Sequence, residues 1–384
     1  MARICCVTHH YYPQHAHIRR DMETLVNAGY GVDVICLRHK GQKGKETIDG
    51  VNIYRMSVEH KRLGLLRYLT EYSAFFVLAT LKLWSGHLRK RYAVIEVNNM
   101  PDILVFTTLF PKMLGARVIL YVFDPMPEYL AFKHRLRSNH PAINIVRWCE
   151  RASAAYADQV IVTANSVKRM LESRGTRGSK ISIVLNVPDE GIFCPDASFK
   201  DVREDGNFRV MTHGSILQNY GIQTIIKAVP ILIGRIPKLE VLIVGEGEYL
   251  DELRTLAHDL AIEDYVKFTG YIPHEKIPSM ISQADVGVVS VLNDPMLPTK
   301  LFEYLAMAKP VVIADQPAMK EYFDSSSMAF YQPDNEHDLA RCILELHGNP
   351  QKRAVLAERA KEAYEKYRWS TMKDEYLRVF EKST

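Results

Sequence analysis

Lys300 and Glu303 stand three residues apart in Leu297-Pro298-Thr299-Lys300-Leu301-Phe302-Glu303, a spacing that puts an ammonium and a carboxylate on one face of a helix near its start. Pro298 and Thr299 punctuate that start, with the threonine as the expected cap. Two readings compete. An i,i+3 pair on a helix surface is ordinary and contributes only a few tenths of a kcal/mol. Alternatively, backbone N–H groups at a helix start attract an anion, and Lys300 adds a full positive charge to them. Glu303, one turn deeper, would then accept from paired hydroxyls. A phosphate beside a sugar diol describes a nucleotide.

The flanking sequence favours a crevice for such a ligand. Ala284 to Ser290 and Pro310 to Ala314 are short β-branched runs of the kind that form buried parallel strands. Similar runs at 3–7, 33–37, 51–56, 93–97, 118–123, 159–163 and 181–185 fill the first half. The second half has 208–213, 239–244, 266–270, 285–290, 310–314 and 328–331. Helical patterns fit between them at 18–28, 101–114, 143–157, 166–174, 221–234, 248–261 and 299–308, and two more close the chain at 350–367 and 370–382. This alternation predicts an α/β protein with two doubly wound sheets, each binding ligands at the carboxyl ends of its strands. The linker is expected near Asn186 to Pro195, where prolines and a glycine interrupt the pattern.

Several strand-end loops carry candidate chemistry. Gly214 and Ser215 follow one strand, where the glycine permits either close approach to a ligand or a plain tight turn. Gly245-Glu246-Gly247 opens a helix at the end of another. Tyr271 and Ile272 would offer backbone groups to a base, though Tyr271 also reads as a surface aromatic. In the first half, Asn98-Asn99-Met100-Pro101-Asp102 and Asp124-Pro125-Met126-Pro127-Glu128 place carboxylates where a doubly wound sheet binds ligands. Asp102 and Glu128 serve equally well as helix-dipole partners.

Charge is divided unevenly. Residues 1–185 hold 27 Lys and Arg against 14 Asp and Glu, net +13, and the remainder holds 22 against 31, net −9. A basic half suits an anionic surface or substrate. No zinc-finger, RNP or helix-turn-helix pattern accompanies it, so a membrane surface is the expected partner and nucleic acid is not. Segment 61–91 sets Tyr72 to Leu81 between Lys61, Arg62, Arg67 and Lys82, Arg89, Lys90, Arg91. The apolar run falls short of the roughly 20 residues that span a bilayer. It reads either as a buried core helix or as an interfacial helix inserting Phe75, Phe76 or Trp84. Met1 to Val7 enters a strand at once, without a signal peptide, and the six cysteines show no CxxC pairing, which suits reduced thiols in the cytoplasm. His9, His10, His15 and His17 cluster without the cysteine or carboxylate set a metal site would use, so no metal is expected.

The chain as a whole resembles the retaining GT-B glycosyltransferases called family four, particularly those acting on bacterial cell-surface polysaccharides. Beside the Lys300–Glu303 segment, the resemblance rests on Gln159 to Thr163 running on to Asn186-Val187-Pro188, Met211 to Ser215, Ile243 to Gly247 and Phe268 to Pro273. The Asn99–Asp102 and Asp124–Glu128 loops are similar to that group's loops too. The likeness implies two Rossmann-like domains facing across a cleft: residues 1–185 for the acceptor and 186–365 for the nucleotide sugar. Residues 366–384 would form a helix crossing back to the first domain. It also implies metal-independent sugar transfer, with retention, from a nucleoside-diphosphate sugar to a lipid-linked or glycan acceptor. The protein would be cytoplasmic or peripheral on the inner membrane face and would need no cofactor.

By the same resemblance, Asp124, Lys300 and Glu303 are catalytic. Gly214, Ser215, Gly245, Glu246, Gly247, Tyr271, Ile272, Pro298, Thr299 and Leu301 bind the nucleotide sugar, and His15, Arg19, Asn99, Asp102 and Glu128 bind the acceptor. The departures are equally specific. Tyr11 to Arg20 lacks the family's glycine pair, and Phe123 stands where a histidine is usual. Ser215 and Tyr220 replace the arginine and lysine that hold the diphosphate, and Met296 replaces the first glutamate of the family's glutamate pair. Lys300, or Arg19 and Arg20, would restore the lost charge. A non-catalytic GT-B subunit that activates a partner transferase is the alternative, with a GT-B epimerase behind it. An NAD-dependent oxidoreductase fits poorly because no GxGxxG follows the first strand.

Overall fold

The structure is a computed structural model that describes residues 1–58, 65–134, 136–195, 206–292 and 297–383, with 65–69 entering only as helix backbone. It divides into two compact units, Met1–Leu185 with Met372–Thr384, and Asn186–Thr371. Each is built on its own sheet.

The first sheet contains β1 (Arg3–Tyr11), β2 (Gly31–Leu37), β3 (Lys45–Ile48), β4 (Val51–Met56), β5 (Val94–Asn98), β6 (Arg117–Val122), β7 (Gln159–Val162) and β8 (Ile181–Ile183). Their spatial order is β3-β4-β2-β1-β5-β6-β7-β8, and all pair in parallel except β3 with β4. Ile4, Cys5, Cys6 and Val7 are wholly buried because helices cover both faces of this sheet. The edge strand β3 escaped the sequence reading: Lys-Glu-Thr-Ile is polar and half-exposed, and only its antiparallel pairing with β4 makes it a strand.

The second unit contains β9 (Phe208–His213), β10 (Leu239–Val244), β11 (Val266–Gly270), β12 (Val286–Val289), β13 (Val311–Ala314) and β14 (Ala329–Tyr331). All are parallel, in the order β11-β10-β9-β12-β13-β14. The connection order therefore reverses between β1 and β5 in one sheet and between β9 and β12 in the other. Such reversals open a crevice at the carboxyl ends of the strands.

Some helices differ from the sequence pattern. The stretch expected as one helix at 101–114 is a 3-10 helix, Asp102–Thr108, followed by a short α-helix, Leu109–Met113. The apolar run at 72–81 lies within a long helix, Leu65–Lys90. There Phe75 is 1% exposed, and the Trp84 indole N–H donates to the Thr107 carbonyl oxygen at 2.8 Å, so neither is placed to insert into a membrane. Lys61 and Arg62 lie outside the described residues, as does the side chain of Arg67. Among the described residues no helix is long and apolar enough to cross a membrane.

The last helix, Trp369–Glu381, passes into the first unit from Met372 onward. There the buried Tyr376 hydroxyl donates to Glu96 Oε2 on β5 at 2.7 Å, and Asn98 Nδ2 donates to Glu96 Oε1 at 2.9 Å. Burial, with Asp21 nearby, pushes the Glu96 carboxyl up to about 7 despite these donors. A folded pKa above the unfolded one means stability falls as pH rises through that window. Tyr376→Phe should therefore destabilise the protein by about 1–3 kcal/mol, the usual cost of leaving a buried acceptor unpaired. The loss in urea denaturation should be larger at pH 8, where Glu96 is ionised, than at pH 5.

Candidate active site

At the reversal in the second sheet, the loops leaving β9 and β10 are locked together by their backbones. Gly214 N–H donates to Val244 O at 2.9 Å, and Ile216 N–H to Glu246 O at 2.9 Å. Two glycines make this approach possible. A Cβ on Gly245, whose φ is +138°, would lie 1.9 Å from Gly214 O, and one on Gly247 would lie 2.0 Å from Ile216 O. Their small size thus shapes the crevice floor. Ser215 and Glu246 are exposed along its rim, and Glu246 Oε1 accepts from the Tyr271 N–H at 3.3 Å. Tyr271 is 69% exposed, and Ile272 beside it is half-buried.

The helix that follows β12 is Thr299–Ala306. Its cap position is the extended Pro298, without a side-chain cap hydrogen bond, so Thr299 is the first helical residue and not the expected cap. Leu301 also corrects the sequence reading. Its side chain is wholly buried and its N–H donates to Pro298 O at 3.0 Å, leaving it a packing residue with nothing to offer a nucleotide.

Lys300 and Glu303 are 8% and 5% exposed, which rules out the surface-pair reading. The Lys300 ammonium lies 4.7 Å from the centroid of the Tyr220 ring and runs along the backbone of Gly214, where a Cβ would meet its Nζ at 3.6 Å. Tyr220, standing where the family is expected to have a lysine, thus supports a lysine that comes from another element. Burial lowers the Lys300 ammonium to about 8, with Glu303 opposing that drop.

Glu303 is held by two histidines that the sequence reading did not single out. Its Oε2 lies 2.5 Å from His213 Nε2, and its Oε1 lies 3.2 Å from His274 Nε2. Burial alone would raise this carboxyl, but the two hydrogen bonds hold it far below the usual carboxylate range. His274 loses some basicity to burial and regains more from Glu303, so it is raised above an ordinary histidine. The His213 ring is fixed from its other side. Tyr304 Oη donates to Met211 O at 2.9 Å, so it must accept from His213 Nδ1, also at 2.9 Å. Both ring nitrogens of His213 are thus engaged, which fixes the orientation of the ring against Glu303. The crevice thus sets the Lys300 ammonium beside a carboxylate that two histidines hold ionised. A histidine ending an otherwise apolar buried strand was the available signal for His213; His274, just past Pro273, gave none.

Candidates in the first unit separate into two groups at its strand ends. The His15 ring lies 5.8 Å from the Phe123 ring, beside the Asp124 loop, and burial together with His10, His17 and Arg20 keeps its basicity well below normal. Burial lifts the half-buried Asp124 carboxyl to about 6. Asn99 is fully buried, and its amide is occupied: Oδ1 accepts from Phe123 N–H at 2.9 Å and Nδ2 donates to Asp124 O at 2.5 Å. It braces the Asp124 loop and is not exposed to an acceptor. Asp102 is 1% exposed, accepts from Asn99 at 3.2 Å and is pushed to about 7 by burial and Glu150. Glu128 pairs with Arg174, which also binds Glu150 at 2.7 Å. Arg19 lies outside this group and pairs with Glu23 at 2.7 Å. Met296 lies outside the described residues. Among the described residues, no group of three or more His, Cys, Asp or Glu could hold a metal ion.

Comparison with known proteins assigns both units. Residues 14–186 match the glycosyl transferase 4-like domain, and residues 195–363 match glycosyl transferases group 1. Both halves of the chain thus match glycosyltransferase domains. It is 30% identical over 162 residues to a phosphatidyl-myo-inositol mannosyltransferase of Mycolicibacterium smegmatis, a match covering 42% of this chain and 41% of that protein. A lipopolysaccharide core biosynthesis glycosyltransferase of Rhizobium meliloti is 27% identical over 93% of both chains. Among solved structures, sucrose-phosphate synthase from Thermosynechococcus elongatus shares the fold, with a TM-score of 0.82 at 17% identity over 100% of this chain and 99% of that one. In the group 1 half, the nucleotide-binding candidates Gly214, Ser215, Glu246, Lys300 and Glu303 gather on one crevice.

The titration of Lys300 gives a direct test. Its charge is present below about pH 8 and lost above it. Affinity for a nucleoside diphosphate, measured by calorimetry, should decline as pH rises through 8, by up to about tenfold per pH unit if one proton is linked to binding. Lys300→Met should bind weakly at every pH and lose that dependence.

Proposed function

We propose that this protein transfers a sugar from a nucleoside-diphosphate sugar to a hydroxyl acceptor, retaining the anomeric configuration. The observation that carries the reading is the buried arrangement of Lys300 with Glu303, held by His213 and His274, at the strand-order reversal of the group 1 half. In the reaction the bond from the anomeric carbon to the diphosphate breaks and its electron pair leaves on the phosphate oxygen. The acceptor oxygen bonds to that carbon on the same face, and its proton passes to the departing phosphate or to a base. Lys300 and the helix start meet the charge that grows on the leaving group, the electrostatic work that dominates such transfers. Glu303, oriented by its two histidines, accepts from ribose or sugar hydroxyls through its remaining lone pairs. Asp124, with a carboxyl near 6, orients the acceptor hydroxyl or takes its proton. No step in this scheme is assigned to a metal or cofactor.

The relatives support a lipid-linked glycan as acceptor. One is named for phosphatidyl-myo-inositol and another for the lipopolysaccharide core. A basic first half suits an anionic membrane, which would place the protein on the cytoplasmic face of the cell membrane in cell-surface polysaccharide synthesis. Ser215 and Tyr220, standing in for diphosphate-binding cations, favour one other reading: a non-catalytic subunit that activates a partner transferase.

Incubation of the purified chain with a panel of nucleotide sugars separates the two. A transferase should consume one donor, slowly by hydrolysis and faster with acceptor. Lys300→Met should reduce turnover by about 100-fold, the scale of losing one oxyanion donor. Asp124→Asn should depress transfer by about 10²–10⁴-fold, as expected for lost general-base assistance, while leaving nucleotide binding intact. Tight nucleotide binding with no turnover of any donor would favour the subunit.

A further inference from the structure

The helix Leu65–Lys90 buries one stripe and leaves an apolar one outside. Phe75, Ala79, Leu83 and His87 point inward at four-residue spacing. The outward stripe holds Ala74, Val77, Leu78, Leu81, Ser85 and Leu88, with Val77, Leu81 and Leu88 each more than half exposed. A surface helix normally turns charged residues to water. Here Tyr72 to Leu81 contains no charge at all.

Its neighbours continue the apolar surface. Trp84 ties the long helix to the Thr107–Phe110 region, through the Thr107 carbonyl and a ring contact with Phe110 at 5.1 Å. Tyr156 ties that region in turn to the helix Pro141–Tyr156, by a ring contact with Phe106 at 5.1 Å and a hydroxyl contact with Thr108 at 3.0 Å. Met113 is 84% exposed, and Ile145 and Trp148, one turn apart, are 64% and 70% exposed. Exposed apolar groups spread over adjoining elements mark an interaction surface. Arg89 lies in the last turn of the long helix and Arg91 just past its end, and Arg151 follows Trp148 by one turn, all exposed. Lys90 does not join them, because its ammonium is engaged by Asp33 at 2.5 Å and Tyr54 at 2.9 Å.

We infer that Val77, Leu81, Leu88, Met113, Ile145 and Trp148 form a face of the first unit that inserts into the interfacial layer of an anionic bilayer, with Arg89, Arg91 and Arg151 on its headgroups. The cationic border and the net charge of +13 over residues 1–185 select an anionic lipid surface as the occupant. The inference deepens the proposed transfer to a lipid-linked acceptor and rests on it for purpose. An indole at the edge of such a face suits the boundary between headgroup and hydrocarbon.

Sedimentation of the full chain with vesicles of equal parts phosphatidylcholine and phosphatidylglycerol tests it, at low and high salt. Part of the binding should survive high salt. The triple variant Leu81→Gln, Met113→Gln, Trp148→Gln should lose that part by about tenfold or more while keeping its circular dichroism spectrum. Arg89→Gln, Arg91→Gln, Arg151→Gln should instead weaken the low-salt binding by about tenfold or more. Brominated lipids should quench part of the tryptophan fluorescence, and Trp148→Phe should abolish that quenching. Absence of vesicle binding, or binding that the apolar triple leaves unchanged, would overturn the inference. So would a wild-type dimer in ultracentrifugation that the apolar triple dissolves, since the face would then belong to a second copy. Transfer of sugar to a water-soluble acceptor reads out the other proposal separately. If that transfer persists while vesicles are ignored, only the membrane face falls; if vesicles bind and no donor is consumed, only the transfer reading falls.

Discussion

Everything at the crevice of the group 1 half depends on keeping one carboxylate charged where water is scarce. An unpaired buried carboxylate would take up a proton and lose its ability to accept two hydroxyls. Glu303 avoids this because His213 and His274 each donate to one of its oxygens. The support extends further back: Tyr304 fixes the His213 ring and is itself fixed by the Met211 carbonyl. Tyr304 lies against Gly287 of β12, where a Cβ would come within 2.7 Å of the ring. A chain of contacts thus runs from strand backbone to tyrosine to histidine to carboxylate, and each member sets the next. Preorganisation of this kind allows fixed charges to act on a ligand without rearranging at the moment of reaction.

The same crevice holds a positive charge although Ser215 and Tyr220 carry none. Positive charge arrives from the helix beyond β12 through Lys300, so the loop between Gly214 and Tyr220 need supply none. Tyr220 then serves as a platform for the ammonium.

Much of the fold was legible in the sequence. Short, largely β-branched runs such as Val286 to Val289 and Val311 to Ala314 read as strands buried on both faces, and both are found there. Edge elements were harder, because the polar residues of β3 owe their conformation to a partner strand. The site was legible where charge and helix position coincided, at Lys300 and Glu303. It was illegible where residues meet only in three dimensions: His213 is 90 positions from Glu303, and His274 is 29. Asn99 and Leu301 failed for the opposite reason. Their place beside a loop suggested ligand contact, while burial and backbone hydrogen bonds had already taken up what they could offer.

The hydrogen bond from Tyr376 to Glu96 joins positions 280 residues apart, and it has a consequence for synthesis. A ribosome delivers β5 well before Tyr376, with the whole of the second unit between them. The first unit therefore emerges with a buried acid lacking its hydroxyl donor, and it is completed only after its neighbour has been made. Chains released early would carry a defect at the opposite end from the missing residues. The helix Trp369–Glu381 thus makes completion of the first unit wait until the second has been translated.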